Sequence, residues 1–330
     1  MSEKSVETST ARIVVLGTGG TIAGTSATAG DNIGYTAAQV GVDQLLEAIP
    51  ALARSGYGIV TEQVAQVDSK DMDFAVWQAL AGRVAHWLAQ DDVAGVVITH
   101  GTDTLEETAL FLQAVLDPAK PVVLTCAMRP ASSLSPDGPQ NVLDAVAVAG
   151  SAGARGVVAV CAGVVHGAFD VQKVHTYRLD AFGSGDAGPV GYVEEGALRL
   201  LRAWPSGRSL VPAGIAGKVV GASAVAAADW PRVEIVMSHA GAGAGLVEAL
   251  VAQGVAGLVV ATTGNGTVHH ALEAGLLAAQ AQGVQVLRAT RCTGGRILTT
   301  PGAVLPDAGS LSPVKARVAL LLMLLSPART

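Results

Sequence analysis

Two glycine-rich turns of the sequence each contain a threonine and each follow a short run of β-branched residues. The first turn spans residues 17–24 and contains Thr21, and the second spans residues 100–104 and contains Thr102. Because ligands in an open α/β sheet bind beyond the carboxyl ends of the strands, we expect both hydroxyl groups to face one pocket. The pattern favours nucleophilic attack on a small polar substrate over nucleotide binding, since Ile22 interrupts the G-x-G-x-x-G spacing.

The glycines around Thr21 allow backbone N–H groups to converge on a negative oxygen, as an oxyanion hole requires. A threonine that only caps a helix fits the same turn equally well. The segment between Gly24 and Gly34 has few side chains that pack, which predicts a mobile lid that ends at Tyr35. We expect the Tyr35 hydroxyl to hydrogen-bond a threonine; the alternative is a surface loop anchored by an aromatic ring.

The second turn also matches the capping box that begins many helices. Asp103 with Glu106, or Thr104 with Glu107, has the required spacing, so spacing alone favours Asp103 as an N-cap. The alternative is that Thr102 points into the pocket while the Asp103 carboxylate binds a substrate ammonium group.

Threonine is a weak nucleophile and needs a neighbouring base. The histidines show no Ser-His-Asp order, and His269 and His270 are adjacent, which is not metal-ligand spacing, so we expect no metal. Lys173 lies in a partly apolar stretch and acts as a base only after burial has favoured loss of its proton. A solvated surface charge is the more common role for any lysine.

Composition limits the class of protein. The chain has 330 residues, of which 50% are hydrophobic and 15% charged, and this composition favours buried parallel strands. A net charge of -6 argues against nucleic acid as a partner. No apolar run approaches the ~18 residues of a membrane span. Residues 1–12 lack a secretory signal, so we expect a cytoplasmic protein, and we expect Cys126, Cys161 and Cys292 to be buried and free.

Alternating short apolar runs and longer helical stretches predict two α/β domains. The larger, N-terminal domain is expected at residues 1–205 with a doubly wound, mostly parallel sheet. A linker follows at 206–228, and a smaller domain with a parallel sheet at 229–330. The predicted strands are 12–16, 93–99, 121–125, 156–160, 233–237, 257–261 and 285–289, and the predicted helices are 71–89, 105–116, 244–252, 268–281 and 313–325.

The segments T-G-G-T-I-A-G at 18–24 and I-T-H-G-T-D-T at 98–104 resemble motifs of the bacterial L-asparaginase family, more its type II branch. Further matches follow in the family's order at 69–72, 106–108, 127–130, 137–139, 170–173, 264–266 and 313–317. The resemblance covers nearly the whole chain. It implies hydrolysis of asparagine to aspartate and ammonia without a cofactor, in a homotetramer built as a dimer of dimers.

The resemblance also implies roles for single residues. Thr21 is expected to be the nucleophile that forms an acyl-enzyme, with Tyr35 as its partner from the lid. Thr102, Asp103 and Lys173 are expected to form a second catalytic group, in which Asp103 also binds the substrate ammonium. The remaining substrate-binding residues implied are Gly20, Ser69 at the α-carboxylate, Ala127 in the pocket wall and Asn265 from a neighbouring subunit.

The chain departs from the family in three respects, the first being that type II relatives are usually exported, whereas residues 1–12 show no secretory signal. Residues 295–310 contain no glutamate, whereas some relatives have an acidic residue there that steadies the lid tyrosine. The cysteines match no disulfide of the exported relatives. A broad-specificity glutaminase-asparaginase is the nearest alternative function, because one methylene changes discrimination by only ~1–3 kcal/mol. A non-catalytic amino-acid sensor is the remote alternative.

Overall fold

The computed structural model describes residues 11–28, 30–207, 211–298 and 300–326. Within these ranges, the strands are β1 (Arg12–Gly19), β2 (Gly58–Val67), β3 (Val93–Thr99), β4 (Pro121–Thr125), β5 (Gly156–Cys161), β6 (Val164–Gly167), β7 (Gln172–Lys173), β8 (Phe182–Gly183), β9 (Gly191–Glu194), β10 (Ala197–Leu200), β11 (Val233–Met237), β12 (Gly257–Thr262) and β13 (Gln285–Thr290). The α-helices are α1 (Val42–Glu47), α2 (Phe74–Leu88), α3 (Leu105–Leu116), α4 (Gly138–Ala149), α5 (Ala216–Val219), α6 (Gly245–Ala252), α7 (His270–Ala281) and α8 (Pro313–Leu325).

The larger sheet has eight strands in the order β10-β9-β6-β5-β4-β3-β1-β2. Strands β2, β1, β3, β4 and β5 run parallel, and β6, β9 and β10 extend the sheet as an antiparallel edge. A separate parallel sheet has the order β11-β12-β13. The predicted fold class, with a larger mostly parallel sheet followed by a smaller parallel one, is confirmed.

Both faces of the larger sheet are covered, as the uninterrupted apolar strands require. In β1, Val14 and Leu16 belong to the core that contains side chains of α2 and α3. Ile13 and Val15 belong to the opposite core, with side chains of α1 and α4. The alternation along one strand therefore places its carboxyl end, and the turn after it, between two fixed layers of helices.

Helix α8 joins the two sheets. It is the helix predicted at 313–325, it begins behind the Ser312 cap, and it packs on the smaller sheet and on α3. Its apolar side chains are part of the same core as those of α2 and α3. Lys315, in its first turn, is fully buried, which the sequence did not indicate. Within the described ranges no helix is long and apolar enough to cross a membrane.

Two expectations about local structure are wrong. The helix predicted from residue 71 begins only at Phe74, because the Asp73 carboxylate accepts a hydrogen bond from the Val76 N–H at 2.8 Å and caps it there. Cys292 is exposed, since it lies in the bend after β13 instead of within the strand. Cys126 and Cys161 are buried and free, as predicted.

Candidate active site

The turns after β1 and β3 pack directly on each other. Gly20 has φ of 83°, and a Cβ placed on it would lie 2.3 Å from the Cα of Gly101. Only glycine allows both this backbone conformation and this close approach. The Thr18 hydroxyl also donates to the Thr99 carbonyl at 2.9 Å, which ties the two strand ends together. The expected juxtaposition of the two threonine-bearing turns is therefore confirmed.

Thr21 is almost fully buried, and its hydroxyl lies 2.7 Å from the hydroxyl of Tyr35. This is the hydrogen bond expected for Tyr35. Thr21 is the first residue of a short 3-10 helix whose cap position is Gly20, and no side chain caps that helix. The alternative in which Thr21 serves only as a helix cap is therefore wrong.

The segment that carries Tyr35 is anchored at its two ends by hydrogen bonds. Thr25 and Thr36 form an antiparallel bridge, and the Ser26 N–H donates to the Ser132 hydroxyl at 2.8 Å. Between these points Ile33 is 81% exposed. Tyr35 is thus held by the bridge next to it while Ile33 faces solvent. The mobility of the lid stays a prediction.

Thr102, Asp103 and Lys173 form a second hydrogen-bonded group. The Lys173 Nζ donates to Thr102 Oγ1 at 2.8 Å and to an Asp103 carboxylate oxygen at 2.6 Å. The Lys173 side chain is only 20% exposed, while that of Asp103 is 50% exposed. Lys173 is thus not a freely solvated surface charge, and it reaches Thr102 from a strand 71 residues further along the chain.

The capping box predicted for this turn is not formed. Helix α3 has Thr104 at its N-cap position, and no side chain caps it. The Asp103 carboxylate instead faces Lys173, and the Thr104 hydroxyl donates to the Ser69 carbonyl at 2.8 Å. The physical reason is that a nearby ammonium group attracts a carboxylate more strongly than a backbone N–H does.

Ser69 lies beside these groups, in the short 3-10 helix that follows β2. It is buried, and its Oγ accepts a hydrogen bond from the Asp103 N–H at 3.1 Å. A Cβ on Gly101 would lie 2.4 Å from the same Oγ, so Ser69 also contacts the second turn. Among the described residues its hydroxyl proton has no protein acceptor, so it is available to a ligand.

Ala127 follows β4 and is buried. The next two N–H groups, of Met128 and Arg129, both donate to the Asp137 carboxylate at 2.9 Å. A Cβ on Gly138 would contact both Ile22 and Ala127, so the Ala127 turn packs beside the Thr21 turn. Ser69, Thr21, Thr102 and Ala127 thus all follow the carboxyl ends of neighbouring parallel strands.

The backbone N–H groups of Thr21 and Thr102 are free to bind a ligand. Among the residues that the structure describes, neither has a protein acceptor. By contrast, the Gly20 N–H donates to the Val67 carbonyl at 2.9 Å, and the Gly20 carbonyl accepts from the Ala38 N–H at 3.1 Å. Gly20 therefore shapes the turn, and the N–H of the next residue is the one left for a substrate oxygen.

A buried chain of hydrogen bonds behind the second turn was missed from the sequence. The indole N–H of Trp77 donates to Thr108 Oγ1 at 2.9 Å, and this hydroxyl lies 3.0 Å from His100 Nε2. His100 Nδ1 lies 2.7 Å from the Gly101 carbonyl, which can only accept. Burial lowers the pKa of His100 to about 4, so the ring is neutral, with Nδ1 protonated and Nε2 accepting. This chain fixes the Gly101 carbonyl.

Asn265 lies apart from these residues within this chain. It lies in the loop after β12. Its side-chain amide donates to the Leu298 carbonyl at 3.1 Å and accepts from the Leu298 N–H at 2.7 Å. None of the hydrogen bonds among the described residues joins it to either threonine turn. In the described part of the chain, no group of three or more His, Cys, Asp or Glu side chains is placed to bind a metal ion.

Comparison with known proteins agrees with this architecture. A family model described as "Asparaginase, N-terminal" matches residues 12–205, and one described as "Glutaminase/Asparaginase C-terminal domain" matches residues 232–329. The chain is 36% identical to "L-asparaginase 2" of Bacillus subtilis, over 94% of this chain and 82% of that protein. It is 37% identical to "Glutaminase-asparaginase" of Pseudomonas fluorescens biotype A, over 96% of this chain and 87% of that protein.

A solved structure is also similar. The "Crystal Structure of Probable Cytoplasmic L-asparaginase from Campylobacter jejuni" superposes with a TM-score of 0.87 at 34% identity, and 96% of each chain is covered. The fold and the site define an α/β protein with two hydroxyl groups poised at the ends of neighbouring strands. The chain belongs to the asparaginase family.

Proposed function

We propose that this chain is an L-asparaginase, which hydrolyses L-asparagine to L-aspartate and ammonia through an acyl-enzyme on Thr21. The observation that carries the proposal is that two threonine hydroxyls lie on touching turns and each has its own hydrogen-bonding partner. The Thr21 hydroxyl lies 2.7 Å from the Tyr35 hydroxyl, and the Thr102 hydroxyl accepts a hydrogen bond from Lys173 Nζ at 2.8 Å. The names of relatives, such as "L-asparaginase 2", support the substrate class.

In the first half-reaction the Thr21 oxygen attacks the carbon of the substrate's side-chain amide. Its proton passes to the Tyr35 oxygen, while the phenol proton of Tyr35 passes to the departing nitrogen, and ammonia leaves as the C–N bond breaks. The free N–H groups of Thr21 and Thr102 stabilise the negative oxygen of the tetrahedral intermediate. Loss of one such donor typically costs about 3 kcal/mol.

In the second half-reaction water attacks the ester on Thr21. Thr102 and Lys173 orient this water and take up its proton, which requires Lys173 to be in its neutral form. Aspartate then leaves, and the Thr21 hydroxyl is restored by return of a proton. Two steps with moderate barriers replace one difficult hydrolysis of an amide.

The substrate is held by its α-amino and α-carboxylate groups. The half-exposed Asp103 carboxylate attracts the ammonium, and the free hydroxyl proton of Ser69 donates to the carboxylate. Ala127 and the Gly20 turn form the wall that leaves room for a small side chain. These contacts select an α-amino acid and fix the amide carbon beside Thr21.

We also infer that the site is completed by a second copy of the chain. Asn265 is expected to reach the substrate from a neighbouring subunit of a homotetramer built as a dimer of dimers. Val174, which is 51% exposed, lines the open pocket beside Asp103 and Lys173 and is suited to such a contact. A cytoplasmic location is supported by the similar protein from Campylobacter jejuni, which is named a probable cytoplasmic L-asparaginase. Sedimentation equilibrium and cell fractionation test these two points.

A broad-specificity glutaminase-asparaginase is the second candidate, because relatives with this name are as similar as those named L-asparaginase. The test is ammonia release from L-asparagine and L-glutamine at equal concentration and neutral pH. Fast release from asparagine alone supports the proposal, and comparable release from both supports the second candidate. Binding of aspartate with release from neither would support an amino-acid sensor instead.

A further inference from the structure

Lys315, in the first turn of α8, is fully buried. Its Nζ donates to the backbone carbonyls of Ala168 and Phe169, each at 2.9 Å. Burial of an ammonium group is costly unless hydrogen bonds and opposite charges compensate for the lost water. A lysine in such a position therefore stabilises whichever segment carries its two acceptors.

Those acceptors lie in the turn that leads to the catalytic lysine. The N–H groups of Asp170 and Val171 both bond the Gly167 carbonyl, at 3.0 and 2.9 Å, so the chain reverses tightly after β6. Lys173 follows in β7, four residues after Phe169. Because this stretch is so short, the position of the turn determines the backbone position of Lys173, from which its side chain extends.

Glu106, in the first turn of α3, is partly buried and close enough to the same stretch to be affected by the backbone N–H of Lys173. Burial raises the pKa of Glu106, while the charge of Lys315, the backbone N–H of Lys173 and the Lys173 charge act against that shift. Burial lowers the pKa of Lys315 to about 8, although the negative charges of Glu106 and Asp170 act to raise it. Asp170 is itself paired with Arg202 at 2.5 Å. Glu106 is thus a partly buried carboxylate, and the charges of both Lys315 and Lys173 act to lower its pKa.

We propose that Lys315 is a positioning residue for Lys173: it holds the turn at 168–171 so that the Lys173 Nζ meets Thr102 and Asp103. Helix α8 packs on the smaller sheet, so this part of the chain contributes to the catalytic geometry of the larger sheet. The inference rests on the proposed role of Lys173. A displacement of about 1 Å in a catalytic group is enough to cost roughly 100-fold in rate.

The test compares Lys315→Met in two backgrounds, the natural chain and Lys173→Met. Methionine keeps the length and apolar volume of the side chain and removes the donors. In the natural background we expect kcat to fall about 10- to 100-fold, with KM for asparagine changed less than about threefold. In the Lys173→Met background we expect little further loss, because a residue that acts through Lys173 has no effect once Lys173 is absent.

Lys120→Met is the matched control. The Lys120 Nζ also donates to a backbone carbonyl, that of Gln90 at 2.7 Å, but at the opposite end of the sheet. We expect it to lower the melting temperature without changing kcat. All rates are measured well below the melting temperature of each variant, on protein shown by circular dichroism to be folded. If Lys315→Met does not fold, Lys315→Gln replaces it in both backgrounds.

Two results would overturn the inference. An unchanged kcat in folded Lys315→Met would do so while leaving the proposed function intact, provided that Lys173→Met is impaired. An equal loss of kcat in both backgrounds would show a general structural effect. If Lys173→Met keeps full activity, the proposed role of Lys173 fails, and the role of Lys315 fails with it.

Discussion

The hydroxyl oxygens of Thr21 and Tyr35 lie 2.7 Å apart, although Thr21 precedes and Tyr35 follows the segment between Gly24 and Gly34. The bridge between Thr25 and Thr36 closes that segment next to Tyr35. Backbone pairing next to Tyr35 therefore holds the phenol beside the Thr21 hydroxyl. In the proposed mechanism, this contact makes Tyr35 the proton carrier of the first half-reaction.

Removal of the Tyr35 hydroxyl is expected to slow turnover without disturbing the fold. Tyr35→Phe keeps the ring, so we predict a fall in kcat of roughly 100-fold, the usual contribution of a positioned proton-transfer group. Steady-state ammonia release measures it. Tyr57→Phe is the control, since the Tyr57 hydroxyl donates to the Gly150 carbonyl at 2.7 Å and, among the described residues, has no other side-chain partner. An unimpaired Tyr35→Phe enzyme would exclude Tyr35 from proton transfer.

Thr102 and Lys173 are expected to act as one unit. Thr102→Val and Lys173→Met should each lower kcat by about 1,000-fold, and the double variant should be no slower than the slower single variant. The physical reason is that either change breaks the same path for the proton of the attacking water. Losses that multiply in the double variant would show that the two side chains act independently.

Gly20→Ala is expected to abolish activity and to destabilise the fold by several kcal/mol. The new Cβ would meet Gly101 Cα at 2.3 Å, in addition to the cost of about 1–2 kcal/mol for the positive φ. Gly254→Ala is the matched control: its φ is 77° and a Cβ there meets nothing within 4 Å. Chemical denaturation and ammonia release are measured on both. Equal stability losses would mean that the contact between the turns is not tight.

Stability is expected to depend on pH through Glu107, which lies 3.9 Å from Arg317. Burial raises the pKa of Glu107 from 4.5 to about 7, against the opposing charge of Arg317. The folded chain then binds more protons than the unfolded chain between these values, so the contribution of Glu107 to stability is lost as pH rises from 4.5 to 7. A shift of this size corresponds to about 3 kcal/mol.

Glu107→Gln removes this dependence. We predict that the free energy of unfolding of the variant, relative to that of the natural chain, rises by about 3 kcal/mol across that pH range. Urea denaturation at a series of pH values measures the difference. The exposed Glu47→Gln controls for loss of a surface charge. A constant difference between variant and natural chain would contradict the buried, proton-binding state of Glu107.

The sequence was informative where structure is local. The β-branched runs predicted the parallel strands other than β2, and the positions of the two turns after strand ends predicted that the turns lie side by side, because both features depend on residues adjacent in the chain. The short antiparallel strands from β6 to β10 carry no comparable pattern and were not predicted. The boundaries at 1–205, 206–228 and 229–330 stay a prediction.

The contacts that sequence reasoning missed join distant segments. The capping spacing favoured Asp103 as an N-cap, but Lys173 arrives from 70 residues away and attracts its carboxylate. Lys315 precedes an apolar run and would ordinarily remain solvated. Its Nζ instead donates to the carbonyls of Ala168 and Phe169 in the core. The proposed role of Asn265 involves a second subunit, which a single chain does not display.

The most direct test of Thr21 as the nucleophile is a rapid acid quench of the enzyme during turnover of L-asparagine, followed by intact-protein and peptide mass spectrometry. We predict a covalent adduct with the mass of an aspartyl group on Thr21. It should accumulate further in Lys173→Met, which slows hydrolysis of the ester, and be absent from Thr21→Ala. An adduct on Thr102, or full turnover by folded Thr21→Ala, would contradict the assignment of Thr21 as the nucleophile.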